Sequence, residues 1–177
     1  MKKSTKTILI LVGLIVALFL VNNIYEEIQY AKSRAEWKEK EAKEEAEKQA
    51  KWDTAKKLQE KFNKCLNSDD YPGAYAALDE RIALLNGWSS ESQELNRKAL
   101  TNEIAYLISN ADDKTSAKII MAIKDRARYH AEYSQPVYAA EKEMLNFAVQ
   151  VAKTNGNGDI AKQLQIALNS WEEENKE

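Results

Sequence analysis

An all-α protein is the expectation, built as an N-terminal transmembrane helix, a long charged helical stalk and a C-terminal bundle of short antiparallel helices. Three observations carry it. The 177 residues include only five Gly and two Pro, too few turn formers for a β-rich fold. From Tyr25 to Leu66 there is neither Gly nor Pro, and the strong helix formers Ala, Glu, Lys and Gln dominate. Beyond Leu66, apolar residues recur at helical spacing in five successive segments separated by turn clusters.

The N-terminal element rests on a run of fourteen apolar residues, Ile8 to Val21, preceded by Lys2, Lys3 and Lys6. No charge occurs between Lys6 and Glu26, and such a stretch spans roughly 28 Å as a helix, enough to cross a bilayer. Phe19 to Tyr25 offers no pair of small residues for signal cleavage, so the segment reads as an uncleaved signal-anchor rather than a removed leader. Basic residues flank both sides, with Lys32, Arg34, Lys38 and Lys40 diluted by Glu26, Glu27, Glu36 and Glu39. The lysines nearest the membrane precede the span, which places the N-terminus in the cytoplasm and the bulk outside. Residues 1-25 form this tip and anchor.

Residues 26-57 follow as the charged stalk. Glu36, Glu39, Glu44 and Glu47 each stand four positions before a Lys, the order that supports an exposed helix. Ala31, Ala35, Ala42, Ala46 and Ala50 make a drifting stripe, with Trp37 and Trp52 added. Alanine is small for a coiled-coil seam. A single solvated spacer and a weak parallel dimer both fit, the spacer being the simpler.

Residues 58-177 form the bundle. Leu58, Phe62, Cys65 and Leu66 bring the first apolar packing, and Asn67 to Gly73 is a turn with Asp or Ser as N-cap and Pro72 in the first turn of the next helix. Ala74, Leu78, Ile82 and Leu85 share a face of that helix, which stops near Asn86-Gly87. Ser89 or Ser90 caps a helix bearing Leu95, Leu100, Ile104, Leu107 and Ile108, with Ser90 and Gln93 at capping-box spacing. After Asn110 to Asp113 comes a helix with Ile119, Ile120, Ile123, Ala127 and His130 on one face, ending before Pro136. Val137, Ala140, Met144, Ala148 and Val151 mark another, closed by Asn155 to Gly158, and Ile160, Leu164, Ala167, Leu168 and Trp171 mark the last.

The stretch Asp70 to Ile82, with Tyr71, Ala74, Leu78 and Ile82 at the characteristic apolar spacing, resembles the second helix of a tetratricopeptide repeat. The likeness covers one hairpin, about residues 58-85, with Arg81 where that family has a small residue. It implies antiparallel helical hairpins and a surface that binds peptides or proteins.

Little in the chain points to chemistry. One His and one Cys exclude sites needing two imidazoles, CxxC redox pairs and intramolecular disulfides. Asn155 to Asp159 resembles a calcium loop, but Ile160 and Ile166 occupy the positions that need Gly and a bidentate carboxylate. Phosphate-binding and nucleophile-elbow motifs are absent, and no cofactor is expected. The acid pairs Asp112 with Asp113 and Glu141 with Glu143 read as solvated surface, because such neighbours point to different helix faces. Residues 1-66 hold 14 basic and 10 acidic side chains, and residues 67-177 hold 12 and 18. An acidic C-terminal part repels phosphate backbones, so nucleic acid is not an expected partner, and Lys118, Lys124, Arg126 and Arg128 read as a solvated helix face.

Two features remain as candidates for recognition. Arg126, Tyr129, His130, Tyr133 and Tyr138 form an Arg- and Tyr-rich interaction patch of the composition favoured at interfaces. Cys65 reads first as a small packed side chain and second as an intermolecular disulfide in an oxidising compartment. The functional expectation is a non-enzymatic, membrane-anchored adaptor on the outer side of a bacterial inner membrane, holding its helical domain towards an unidentified protein partner. One alternative is a phage lysis protein, since inner-membrane spanins are similar in plan. Another is an envelope enzyme using acids such as Glu132 or Glu141.

Overall fold

The computed structural model describes residues 2–127 and 137–175, with side chains described there except at 2–12, 14, 15, 17, 137 and 138. Among the described residues the chain is all-α. Six helices follow in order: α1 (Lys2–Asn67), α2 (Tyr71–Leu84), α3 (Ser90–Ser109), α4 (Thr115–Ala127), α5 (Val137–Thr154) and α6 (Gly158–Glu174). The chain divides into two units, Met1–Ala50 and Lys51–Glu177.

The first unit is the N-terminal part of α1. Among the described residues no helix is long and apolar enough to cross a membrane; the apolar run from Ile8 to Val21 falls largely on side chains outside those described. From Leu18 to Ala50 every side chain is exposed. The expected Glu39–Lys43 pair is closed at 3.0 Å, while Lys40 turns to Glu44 at 3.9 Å. Both pairs are largely solvated, so each contributes well under 1 kcal/mol and intrinsic propensity holds the helix.

The second unit is a helical bundle that begins at Lys51, with Ala55 its first buried side chain. Two apolar clusters share α3 between them. In one, Phe62 and Leu66 of α1 meet Tyr71, Ala74, Tyr75, Ala77 and Leu78 of α2 and Leu95 and Ala99 of α3. In the other, Leu100, Ile104 and Ile108 of α3 pack with Ile119 and Ile123 of α4, Leu145 and Val149 of α5, and Leu164 and Leu168 of α6. Ile82, expected on the buried face of α2, is only half-buried, and Arg81 takes the inward position instead.

Three helices end in the same way. At α1, Asp70 N–H donates to the Cys65 carbonyl and Asp69 N–H to that of Leu66; at α2, Gly87 N–H donates to Ile82 and Asn86 N–H to Ala83; at α5, Asn157 N–H donates to Ala152 and Gly156 N–H to Lys153. Each is a Schellman closure pivoting on a residue of positive φ, Asp69 at 57°, Asn86 at 61° and Gly156 at 75°. Asn, Asp and Gly tolerate that conformation, which is why polar turn clusters locate the helix ends in the sequence.

Helix starts are equally chemical. Asp70 accepts from Gly73 N–H at 3.0 Å to cap α2, and Ser89 accepts from Ser92 N–H at 3.1 Å to cap α3. The cap of α3 is therefore Ser89 with Ser92, and the Ser90–Gln93 box is not the one used. Gly73 has no room for a side chain: an added Cβ would collide with the Asp70 carboxylate and come within 3.0 Å of the Cys65 sulfur. Gly73→Ala should therefore displace the capping carboxylate and lower stability by about 1 kcal/mol. A urea denaturation midpoint measures this, and the same substitution at Gly158, where nothing lies within 4 Å, supplies the comparison.

Candidate functional site

The most concentrated polar chemistry lies where α2, α3 and α4 meet. Tyr75 donates its hydroxyl proton to Glu103 Oε2 at 2.7 Å. The Arg126 guanidinium carbon stands 4.0 Å above the centre of the Tyr75 ring, and its Nη1 donates to both Asp79 oxygens at 3.0 and 3.2 Å. Asn96, fully buried, donates its amide to the Arg126 carbonyl at 3.0 Å. One turn away, the Tyr71 hydroxyl lies at 3.1 Å from Asp69 Oδ1 and 3.2 Å from the Asn102 carbonyl.

These partners alter one another's ionisation. Burial pushes the Tyr71 hydroxyl up to about 12, helped by its bond to Asp69, and pushes Tyr75 further up, with Glu103 adding to the effect. Burial also raises the Glu103 carboxyl, against the Tyr75 hydrogen bond and the Arg126 charge that pull it down. A carboxyl raised in the folded state adds stability at low pH that is lost as pH climbs through its folded value. Glu103→Gln, which keeps an oxygen acceptor for Tyr75, should thus be most favourable near neutral pH and lose that advantage in acid, as unfolding midpoints at pH 4 and pH 7 would show. Asp112 runs the other way. The Lys118 ammonium, at 2.6 Å, and the Lys114 backbone N–H hold its carboxyl low, so its contribution is present at neutral pH and fades as acid protonates it.

A second feature is a groove of about 670 Å³ among α4, α5 and α6, walled by Ile120, Ile123 and Leu145 and edged by Lys124, Glu141 and Trp171. Glu141 is 8% exposed, whereas the sequence predicts a solvated surface acid. The physical reason is Trp171 on α6, whose indole N–H donates to Glu141 Oε2 at 3.0 Å and makes burial of the carboxylate tolerable. Glu143 points away as expected and pairs with Arg97.

The recognition candidates fare unevenly. Tyr129, His130 and Tyr133 lie outside the described residues, as do Arg128 and Glu132, and so does the side chain of Tyr138. Arg126 is described, and it is held by Asp79 and Tyr75 within the bundle. Lys118 is likewise paired, with Asp112. Cys65 is a half-buried free thiol packed against the cluster around Phe62 and Leu66. Desolvation and a hydrogen bond to Asp70 push the pKa of its thiol up, which lowers its thiolate content and slows disulfide exchange.

The sequence pattern missed the buried polar set: Arg81, Ser92, Asn96, Thr115, Ser116 and Glu141. Their one visible signal is placement, since Asn96 follows Leu95 on an inward helical face and Thr115 stands one turn before Ile119. Among the described residues no group of three His, Cys, Asp or Glu could hold a metal ion. No family model matches the chain, and neither the curated proteins nor the solved structures contain a significant match.

Proposed function

We propose that the protein is a non-enzymatic, single-pass membrane adaptor. Its N-terminus stays in the cytoplasm, residues 8–25 anchor it in a bacterial inner membrane, and a charged stalk presents the helical bundle on the outer side to a protein partner. The observation that carries this reading is helix α1, unbroken from Lys2 to Asn67. That single helix takes in a basic tip, the apolar run, an exposed charged stretch and the first buried residues of the bundle. The apolar run suits anchoring, and the exposed charged stretch suits spacing. The Tyr75–Glu103–Arg126–Asp79 network joins three helices of the bundle, a structural use of these side chains.

An alkaline-phosphatase fusion at Glu177 tests the topology. Activity is expected; an inactive phosphatase paired with a fluorescent cytoplasmic reporter at the same residue would reverse the assignment. Pull-down of the tagged full chain from crosslinked membranes should recover a stoichiometric partner, and cell lysis on expression alone would favour the spanin-like alternative instead.

A further inference from the structure

We infer that the exposed stretch of α1 is the docking face for a second copy of this chain, paired parallel and in register; this goes beyond the adaptor reading. Every side chain from Leu18 to Ala50 is exposed, including Ile24 and Ile28 at 57% and 59%. At about 100° per residue, Ile24, Ile28, Ala31, Ala35, Ala42 and Ala46 fall in a stripe roughly 60° wide. Ile24, Ala35 and Ala46 recur every eleven residues, a period whose seam drifts by only about 20° per repeat along an α-helix, in the right-handed sense. The alanines permit close approach of two backbones, and the isoleucines supply the apolar area at one end.

Charge identifies the occupant. Along one edge of the stripe the order is Glu27, then Arg34 and Lys38, then Glu41 and Glu45. Along the other edge it is Lys32, then Glu36 and Glu39, then Lys43. In a parallel in-register pair, each copy's first edge faces its partner's second edge. Glu27 then meets Lys32, Arg34 and Lys38 meet Glu36 and Glu39, and Glu41 and Glu45 meet Lys43. All three blocks are opposite in sign, and the two-fold axis repeats them. A slip of one heptad sets Glu27 against Glu39 and Arg34 against Lys43. Antiparallel pairing over the same stretch sets Glu27 against Glu45 and Arg34 against Lys38. Exposed ion pairs of this kind select partner and register more than they supply affinity, and confinement of both copies to one membrane would raise their local concentration.

The test uses the purified full chain in mild detergent, carrying Cys65→Ser, so that it reads pairing whether or not the membrane assignment holds. Ala35→Cys and Ala42→Cys lie on the seam, and Ser33→Cys and Glu44→Cys lie on the opposite face. With mild oxidant, the seam positions should form disulfide-linked dimers several-fold faster than the opposite pair. A copy bearing Arg34→Glu and Lys38→Glu with Ala35→Cys should lose most of its crosslinking, and recover it when mixed with a copy bearing Glu36→Lys and Glu39→Lys that also carries Ala35→Cys. Equal crosslinking from both faces, no crosslinking from any position while circular dichroism shows intact helix, or charge reversal without effect would each overturn the proposal.

Discussion

Phe62→Ala should lower the stability of the bundle by about 3–5 kcal/mol, the usual cost of emptying a buried aromatic site. Phe62 is almost fully buried and is the largest side chain that α1 contributes to the cluster with Tyr71, Ala74, Leu78 and Leu95. Truncation leaves a cavity at the junction of three helices, and a loss of that size is a large share of the ~5–15 kcal/mol that holds an ordinary domain together. A urea unfolding curve on the full chain reads it as a fall in midpoint. Trp52, exposed on the same helix, provides the contrast: Trp52→Ala should change stability by no more than about 0.5 kcal/mol. Equal effects at the two positions would mean that Phe62 is not a core residue.

The ion pair between Arg81 and Glu91 should show an inverted cost, with removal of the exposed partner doing more damage than removal of the buried one. The Arg81 side chain is 3% exposed and that of Glu91 49%. Arg81 Nη2 lies 2.5 Å from Glu91 Oε2, Nη1 donates to Ser92 Oγ at 3.2 Å, and Nε has no partner among the described residues. Glu91→Ala strands a guanidinium away from water. The cost is about 2 kcal/mol, below the full penalty for breaking a buried pair because the carboxylate side is open to solvent. Arg81→Met replaces the cation with an apolar chain of similar reach and leaves only a half-solvated Glu91, so its cost should stay within about 1 kcal/mol. Chemical denaturation of both variants gives the order directly, and a larger loss for Arg81→Met would show that the guanidinium is well solvated where it lies.

The helical class and the breaks between helices were legible in the sequence because both arise from local rules. Scarce Gly and Pro with apolar residues at helical spacing yield helices. Asn67 to Gly73, Asn86-Gly87 and Asn155 to Gly158 place residues that accept positive φ where three helices close. Ser89 and Asp70 declare their caps through short oxygen-bearing side chains next to apolar periodicity. What periodicity does not register is a polar group buried through a distant partner. Arg81 needs Glu91, Asn96 needs the Arg126 carbonyl thirty residues on, and Glu141 needs Trp171. The tetratricopeptide likeness shares that limit. Tyr71, Ala74 and Leu78 are buried as it implies, yet Arg81 fills the inward position that family gives to a small residue. Arg126 taught the same lesson from the opposite side. The sequence places it in a recognition patch, and the structure adds what periodicity does not register, an ion pair to Asp79 and a ring contact with Tyr75.

Extraction of the membrane fraction with alkaline carbonate and with high salt tests the central claim most directly, using the full chain with a C-terminal tag and N-terminal sequencing of the recovered protein. A span through residues 8–25 predicts that the protein stays in the pellet under both washes and still begins at Met1. Release into the supernatant, or a recovered N-terminus beyond Val21, would contradict a membrane-anchored adaptor.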